Sequence, residues 1–229
     1  MMKVVVSIGG SVLVPDDGPD RVDGYAAALE ALETDGHTVA AVVGGGPTAR
    51  EYIGAARALG ANEIELDQLG IAVTRLNARL LVAALAERAA PTPPRGLEAA
   101  REALRRGDLP VMGGTEPAHT TDAVAASLAE YANADRLVLA TSVSGVYDAD
   151  PDEHADATKL DEISTADLIG LVADIDMAAG SNAPVDLLAA KVIERAGIRT
   201  TVVDGRDPAN VEAAVADRHE GTDVLPAGE

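Results

Sequence analysis

Three short apolar runs in this chain each end abruptly on glycine. Lys3 to Ile8 (KVVVSI) empties into Gly9-Gly10-Ser11, Thr38 to Val43 into Gly44-Gly45-Gly46-Pro47-Thr48, and Leu109 to Met112 into Gly113-Gly114-Thr115. Short β-branched runs bounded by glycine are strands buried on both faces. Helical patterns separate them. Arg21 to Thr34 places Val22, Tyr25, Ala26, Leu29 and Leu32 at helical spacing and closes at Asp35-Gly36. Ala49 to Leu59 follows the second strand, and about Asp67 to Ala89 carries Leu69, Val73, Leu76, Leu80 and Ala84 along one face. After the break at Pro91 to Pro94, Gly96 to Arg106 is helical again. Beyond the third glycine turn come a helix at Asp122 to Tyr131, a strand at Leu137 to Thr141, and an acidic loop with Asp148, Asp150, Asp152, Glu153 and Asp156. Helices near Thr165 to Val172, Val185 to Ala196 and Ala209 to Asp217, with a strand at Arg199 to Val203, complete the chain. Alternation of this kind predicts an α/β fold with a mainly parallel sheet covered on both faces.

The chain has 229 residues, enough for one α/β domain or two tightly joined lobes. Lys and Arg total 18 against 38 Asp and Glu, a net charge of −20. That balance argues against a nucleic-acid backbone binder, which needs clustered cations. Cysteine is absent, so disulfides, zinc–cysteine sites and thiol catalysis are excluded. No uninterrupted apolar run has the length of a bilayer span, and the N-terminus enters a glycine turn too early for a signal peptide. A soluble cytoplasmic protein is expected, with no membrane partner. Only Lys3, Lys159 and Lys191 are lysines, and there is no Phe or Trp. Acidic residues in excess, arginine in place of lysine and Ala/Val-rich core segments suit concentrated salt, where screening removes self-repulsion.

Ligands of open parallel sheets bind at the carboxyl ends of the strands, where side-chain-free turns and helix N-termini present N–H groups to anions. Three glycine turns on one such edge point to phosphate, although tight turns alone would also explain them. Neither G-x-x-x-x-G-K-[ST] nor G-x-G-x-x-G occurs, so the cradle is of another kind. Arg50, in the first turn of a helix after the second glycine turn, suits a phosphate; taken alone it is more readily a surface arginine paired with Glu51 or a neighbouring acid. Lys191 follows Asp186 by five residues, after Gly180-Ser181-Asn182, and alone it is equally a solvated helix lysine. Asp67 and Asp122 could each be ordinary N-caps. His119 is at most a contact residue, because phosphoryl transfer needs positioning and charge stabilisation more than a strong base.

The chain resembles the archaeal-type UMP kinases of the amino-acid kinase family from Lys3 almost to its end. The resemblance rests on SIGGSVLVP (7–15), VVGGGPTAREY (42–52), LDQLGIAVTRLNARLL (66–81), PVMGGTEPAHTTDAVAA (110–126), TSVSGVYDADP (141–151), APVDLLAAKVIERAGI (183–198) and Gly221-Thr222. It implies one domain over residues 1–229, an open αβα sandwich, a homohexamer, and conversion of ATP and UMP to ADP and UDP on the way to CTP. By the same resemblance the N-terminal part mainly serves UMP and the C-terminal part mainly ATP. Gly10, Ser11, Gly46 and Arg50 would touch ATP phosphates, with Thr141, Tyr147 and Asp150 on the adenosine and metal side. Gly45, Asp67 and Thr115, Glu116, Pro117, Ala118, His119, Thr120 and Thr121 would hold UMP, Asp67 accepting from a ribose hydroxyl. Lys191, Arg50 and Asp186 would form the catalytic set, and Mg²⁺ would enter chiefly on the ATP phosphates, with no dedicated protein metal site.

Two positions depart from the family pattern. Ser7 stands where many members carry a lysine, which archaeal members commonly lack, and Ser144 replaces the acid of T-x-V-D-G-V-Y. The alternatives are another small-molecule kinase of the family, acting on isopentenyl phosphate, acetylglutamate or carbamate, and a non-catalytic nucleotide- or oxyanion-binding relative. The GGT…TTDA loop paired with the Asp67 helix separates the UMP branch from the former. Arg50 and Lys191 together speak against the latter.

Overall fold

A computed structural model describes residues 1–15, 21–149, 154, 156–176 and 185–226. In chain order the strands are β1 (Lys3–Ile8), β2 (Thr38–Val43), β3 (Val111–Met112), β4 (Arg136–Thr141), β5 (Glu162–Ser164), β6 (Thr200–Asp204) and β7 (Thr222–Leu225). The helices are α1 (Gly10–Leu13), α2 (Arg21–Thr34), α3 (Gly46–Ala58), α4 (Glu63–Leu85), α5 (Leu97–Arg106), α6 (Thr121–Ala132), α7 (Thr165–Asp176), α8 (Leu187–Ala196) and α9 (Ala209–Val215). They build one seven-stranded sheet of order β3-β2-β1-β4-β6-β7-β5. Every pairing is parallel except β6 with β7.

Period-two alternation distributes the strand residues between two cores. Val5, Ala40, Val42, Leu137 and Leu139 face α5, α6, α7 and α8. Val4, Val6, Ile8, Val39, Ala41, Val43, Val138 and Ala140 face α2, α4 and α9. Both faces are therefore dry, as an αβα sandwich requires. Small side chains allow close approach: Ala123, Ala125, Ala126 and Ala129 of α6 are buried against the sheet. On the other face Tyr25 supplies bulk, and its buried hydroxyl donates to Gly205 O at 2.7 Å.

The sequence pattern missed β5 and β7, which are short, and therefore the antiparallel edge. β7 is anchored by charge. Asp223 accepts from Arg199 at 2.6 Å and from Thr201 at 2.9 Å, while Asp217 accepts from Arg136 at 2.8 Å. Asp217, His219 and Asp223 lie close enough to share a cation, but two guanidiniums already neutralise the carboxylates.

Asp67 and Asp122 are not caps. Asn62 caps α4 in a reciprocal capping box with Glu65, and Thr120 caps α6 by accepting from Ala123 N at 3.0 Å. α4 is long and apolar enough to cross a bilayer by composition, which a count of uninterrupted runs overlooks. Here Leu66, Val73, Ala78, Leu81 and Leu85 are buried in the protein, and Leu76 and Leu80 remain exposed outward.

The turns after β1 and β2 pack backbone on backbone. A Cβ on Gly10 would lie 2.1 Å from Gly46 N and 2.5 Å from the carbonyl carbon of Gly44. Gly46 itself has φ +63°. Gly54, inside α3, meets nothing within 4 Å. Gly10→Ala is expected to destabilise by about 3 kcal/mol or more, since backbone cannot yield as a side chain can. Gly54→Ala should gain roughly 0.4–1 kcal/mol from reduced unfolded-state freedom. Thermal melts of the two variants check this contrast, and a neutral Gly10→Ala would contradict it.

Candidate functional site

All three glycine turns lie at one edge of the sheet, and the first two touch each other. Gly44 N donates to Ile8 O and Gly9 N to Ala140 O, both at 2.9 Å, so the turns leave β1 and β2 in register with the end of β4. The third turn joins through α4. Thr74 Oγ1 accepts from Gly114 N at 2.7 Å and donates to Ile71 O at 2.7 Å. Asn77, buried on the same helix, donates from Nδ2 to Gly44 O at 2.8 Å and Gly45 O at 3.2 Å. Neither Thr74 nor Asn77 was singled out from the sequence. The available signal was a polar side chain on the buried face of an apolar helix.

A cavity of about 310 Å³ opens where these turns meet. It gathers Gly45, Gly46, Arg50, Asp67, Glu116, His119, Thr120 and Thr121 from the expected set. Its apolar walls, Ile53, Ile71 and the methyl side of Thr74, come from α3 and α4. Arg50 projects from the first turns of α3, beside that helix's N-terminus. Asp67 lies in the second turn of α4, and its Oδ2 accepts from Ala118 N at 2.8 Å. Ala118 has φ +61°, so this bond holds a strained residue of the 115–121 loop. Thr115, Pro117 and Ala118 belong to that loop but do not line the cavity.

Behind the loop a polar chain connects three elements. Thr120 Oγ1 donates to Asp186 Oδ2, and Asp186 caps α8 by accepting from Ala189 N at 3.0 Å. Asp122 accepts from Ser7 Oγ at 2.6 Å. Burial pushes the Asp122 carboxyl up to about 6, against the Ser7 hydrogen bond and with a smaller push from Asp186. Ser7 and Asp122 thus occupy the end of β1 where the family pattern has a lysine. Lys191 is exposed on α8, one turn beyond Asp186, with no hydrogen bond or ion pair among the described residues.

A second cavity, about 580 Å³, lies on the β6 side of the sheet. Tyr147, Ser144, Lys159, Asp204, Asn210 and Arg218 are among its walls. Asp204 is held by Arg206, whose hydrogen bonds keep its carboxyl below the usual range, and Asn210 Nδ2 donates to Asp204 O at 2.9 Å. Thr141 closes β4 and its Oγ1 accepts from Val143 N at 3.2 Å, shaping the loop that leads to Tyr147. Gly10 and Ser11 sit at the start of α1 between the two cavities' turns, lining neither. Asp150, and the Gly180-Ser181-Asn182 turn, lie outside the described residues. A polar, glycine-built edge with a pocket at either end can take two phosphorylated ligands with their phosphates facing.

Comparison with known proteins shows the family and the fold. A sequence model of the amino acid kinase family matches residues 2–204. A uridylate kinase of Haloarcula marismortui is 65% identical over 226 residues, covering 98% of this chain and 99% of the relative. One from Methanocaldococcus jannaschii is 50% identical over 206 residues, covering 89% and 91%. The crystal structure of uridylate kinase from Archaeoglobus fulgidus superposes with a TM-score of 0.89 at 45% identity, covering 98% of this chain and all of that one. The chain belongs to the amino acid kinase family and, within it, to the archaeal-type uridylate kinases.

Proposed function

We propose that this protein transfers the γ-phosphoryl group of MgATP to UMP, giving UDP and ADP. The observation that carries the reading is the meeting of Gly45, Gly46, Arg50, Asp67 and the 116–121 loop in one cavity at the strand ends, in a chain 65% identical to a uridylate kinase. UMP occupies the smaller cavity, its ribose near Asp67 and its phosphate toward Arg50 and the α3 N-terminus. ATP occupies the larger one, its polyphosphate running back along the Gly9–Gly10 and Gly44–Gly46 turns. The N-terminal part thus serves the acceptor and the C-terminal part the donor within a single domain. A coupled ADP-release assay with UMP, CMP, dUMP, acetylglutamate and isopentenyl phosphate tests this. Preference for any acceptor other than a uridine nucleotide would overturn it.

The UMP phosphate oxygen attacks the γ-phosphorus in line, and charge builds on the equatorial oxygens. Backbone N–H groups of the turns, Arg50 and Lys191 stabilise that charge. Lys191 is exposed on α8 without an ion pair among the described residues, so its long side chain is available to the transferring group. The carboxylates nearby are largely engaged: Asp186 by Thr120 and Ala189, Asp122 by Ser7, Asp204 by Arg206. Such a donor set fits Mg²⁺ held chiefly by ATP phosphates and water, as that ion prefers. When bound there, Mg²⁺ neutralises polyphosphate charge. Arg50→Ala and Lys191→Ala should each lower turnover about a hundredfold, roughly 3 kcal/mol of transition-state stabilisation, with unchanged melting. Turnover like the parent's in either variant would remove that residue from the mechanism.

Asp122 also sets a pH dependence of stability. Its folded pKa of about 6 lies above the ordinary 3.8, so the native state holds a proton that the unfolded chain has lost between those values. Stability therefore falls as pH rises through that window, by about 3 kcal/mol at most. Asp122→Asn should be the more stable protein at pH 8, and the gap should close toward pH 4. A variant less stable than the parent at pH 8 would contradict this.

The protein is a cytoplasmic enzyme, where both nucleotides are available, and it works in concentrated salt. The net charge of −20 opposes two anionic substrates, so activity should rise as salt screens it; a steady fall from low salt upward would contradict this. We also place it in a homohexamer, supported by the outward Leu76 and Leu80 of α4, which are 57% and 43% exposed and need cover. A monomeric mass by light scattering in concentrated salt would overturn that assembly.

A further inference from the structure

Tyr147 has a fixed backbone and a side chain whose hydroxyl is held, among the described residues, by one hydrogen bond. Its neighbour Val146 is fully buried, and Val146 N donates to Thr222 Oγ1 at 2.8 Å. Leu160 N donates to Val146 O at 2.9 Å, and Tyr147 pairs with Lys159 in an antiparallel bridge. On the other side Asp148 N donates to Thr158 O at 3.1 Å, and Thr158 N returns a bond to Asp148 Oδ1 at 2.7 Å. Gly145 makes the bend before this ladder with φ +151°, and a Cβ there would lie 2.6 Å from Thr222 Oγ1. These contacts fix the main chain from residue 145 to 148. They do not fix the phenol. Its hydroxyl meets Ser144 Oγ at 2.8 Å, and both side chains line the 580 Å³ cavity.

We propose that Ser144 is a positioning residue for the donor nucleotide, holding the Tyr147 ring as a wall of the larger cavity through its hydroxyl. The proposal rests on the reading that this cavity takes ATP. A hydroxyl suits the position on electrostatic grounds. It anchors the phenol without adding negative charge to a pocket that already carries Asp204 and Glu220 and must admit a polyanion. Asp204 is neutralised by Arg206, while Glu220 gives its main-chain oxygen to the Lys159 ammonium. Lys159 and Arg218 line the same cavity, and a carboxylate at 144 would compete with the polyanion for them. The phenol ring then presents one face at a set angle to whatever enters, which is the use of a rigid aromatic wall.

Steady-state kinetics with ATP and UMP varied separately tests the assignment. Ser144→Ala should raise KM for ATP about three- to tenfold, the range of one neutral hydrogen bond, with kcat and KM for UMP within about twofold. Tyr147→Phe should do the same, and the double variant should add nothing further, because both changes break one bond. Ser144→Thr keeps the hydroxyl and should restore the ATP value. Ser144→Asp should raise KM for ATP at low salt and recover as salt screens the added charge. Additive effects, a shift in KM for UMP, or an unchanged KM for ATP in Ser144→Ala would each overturn the proposal. Failure of the phosphotransfer reading looks different: the parent protein would then release no ADP with UMP at all.

Discussion

The contact of Gly10 with Gly44 and Gly46 governs the rest of the architecture. Two strand ends can lie side by side with their following turns in backbone contact only if no side chain intervenes. That contact brings the start of α1 against the start of α3, and thus places two rows of main-chain N–H groups at one level above the sheet. The smaller cavity begins at this seam. Asn77 and Thr74 secure it from α4, one by bonding the carbonyls of Gly44 and Gly45, the other by receiving the amide of Gly114. A helix that is otherwise an apolar prop thereby sets the distance between the second and third turns.

Around that seam the acidic groups are managed one by one rather than offset by a surrounding field of lysines. Asp186 uses both carboxylate oxygens on Thr120 and Ala189, tying the 115–121 loop to α8. Asp67 holds Ala118 in a left-handed conformation, so the loop is already drawn over the cavity before a nucleotide arrives. Asp122 is half-buried at a cost in stability, bonded to Ser7 at the end of the first strand. Buried or strained groups of this kind collect where chemistry is done, and the surrounding packing sustains them.

β1 and β2 were legible because each is apolar on both faces and ends on glycine, and β4 through its apolar run alone; β3 proved shorter than its apolar run. The helices that cover them were legible through periodicity, although α4 begins four residues before Asp67, at a capping box hidden by the acidic run Glu63, Glu65, Asp67, and buries the face of Leu66, Ala78, Leu81 and Leu85 rather than that of Leu76 and Leu80. β5 and β7 were not legible. Glu162–Ser164 and Thr222–Leu225 are too short and too polar to show a period, and they exist because Thr201, Asp223 and Arg199 bond across the edge. At the site, the glycines carried a signal through their place at the strand ends, whereas Arg50 and Asp67 were legible only through the family resemblance. Asp122 resembled an N-cap, and only the three-dimensional approach of Ser7 separates the two roles. Thr74, Asn77 and Ser144 act through contacts with residues distant in sequence or with a neighbour's side chain, which spacing alone does not encode.

The near absence of aromatic residues has an optical consequence. With no tryptophan, the near-ultraviolet emission of the protein comes from four tyrosines, Tyr25, Tyr52, Tyr131 and Tyr147. Tyr25 is sealed in the core, Tyr52 and Tyr131 are exposed on α3 and α6, and Tyr147 lines a cavity. The chain therefore carries its own fluorophore at one pocket, on a background of one core and two surface phenols, with no indole to mask it.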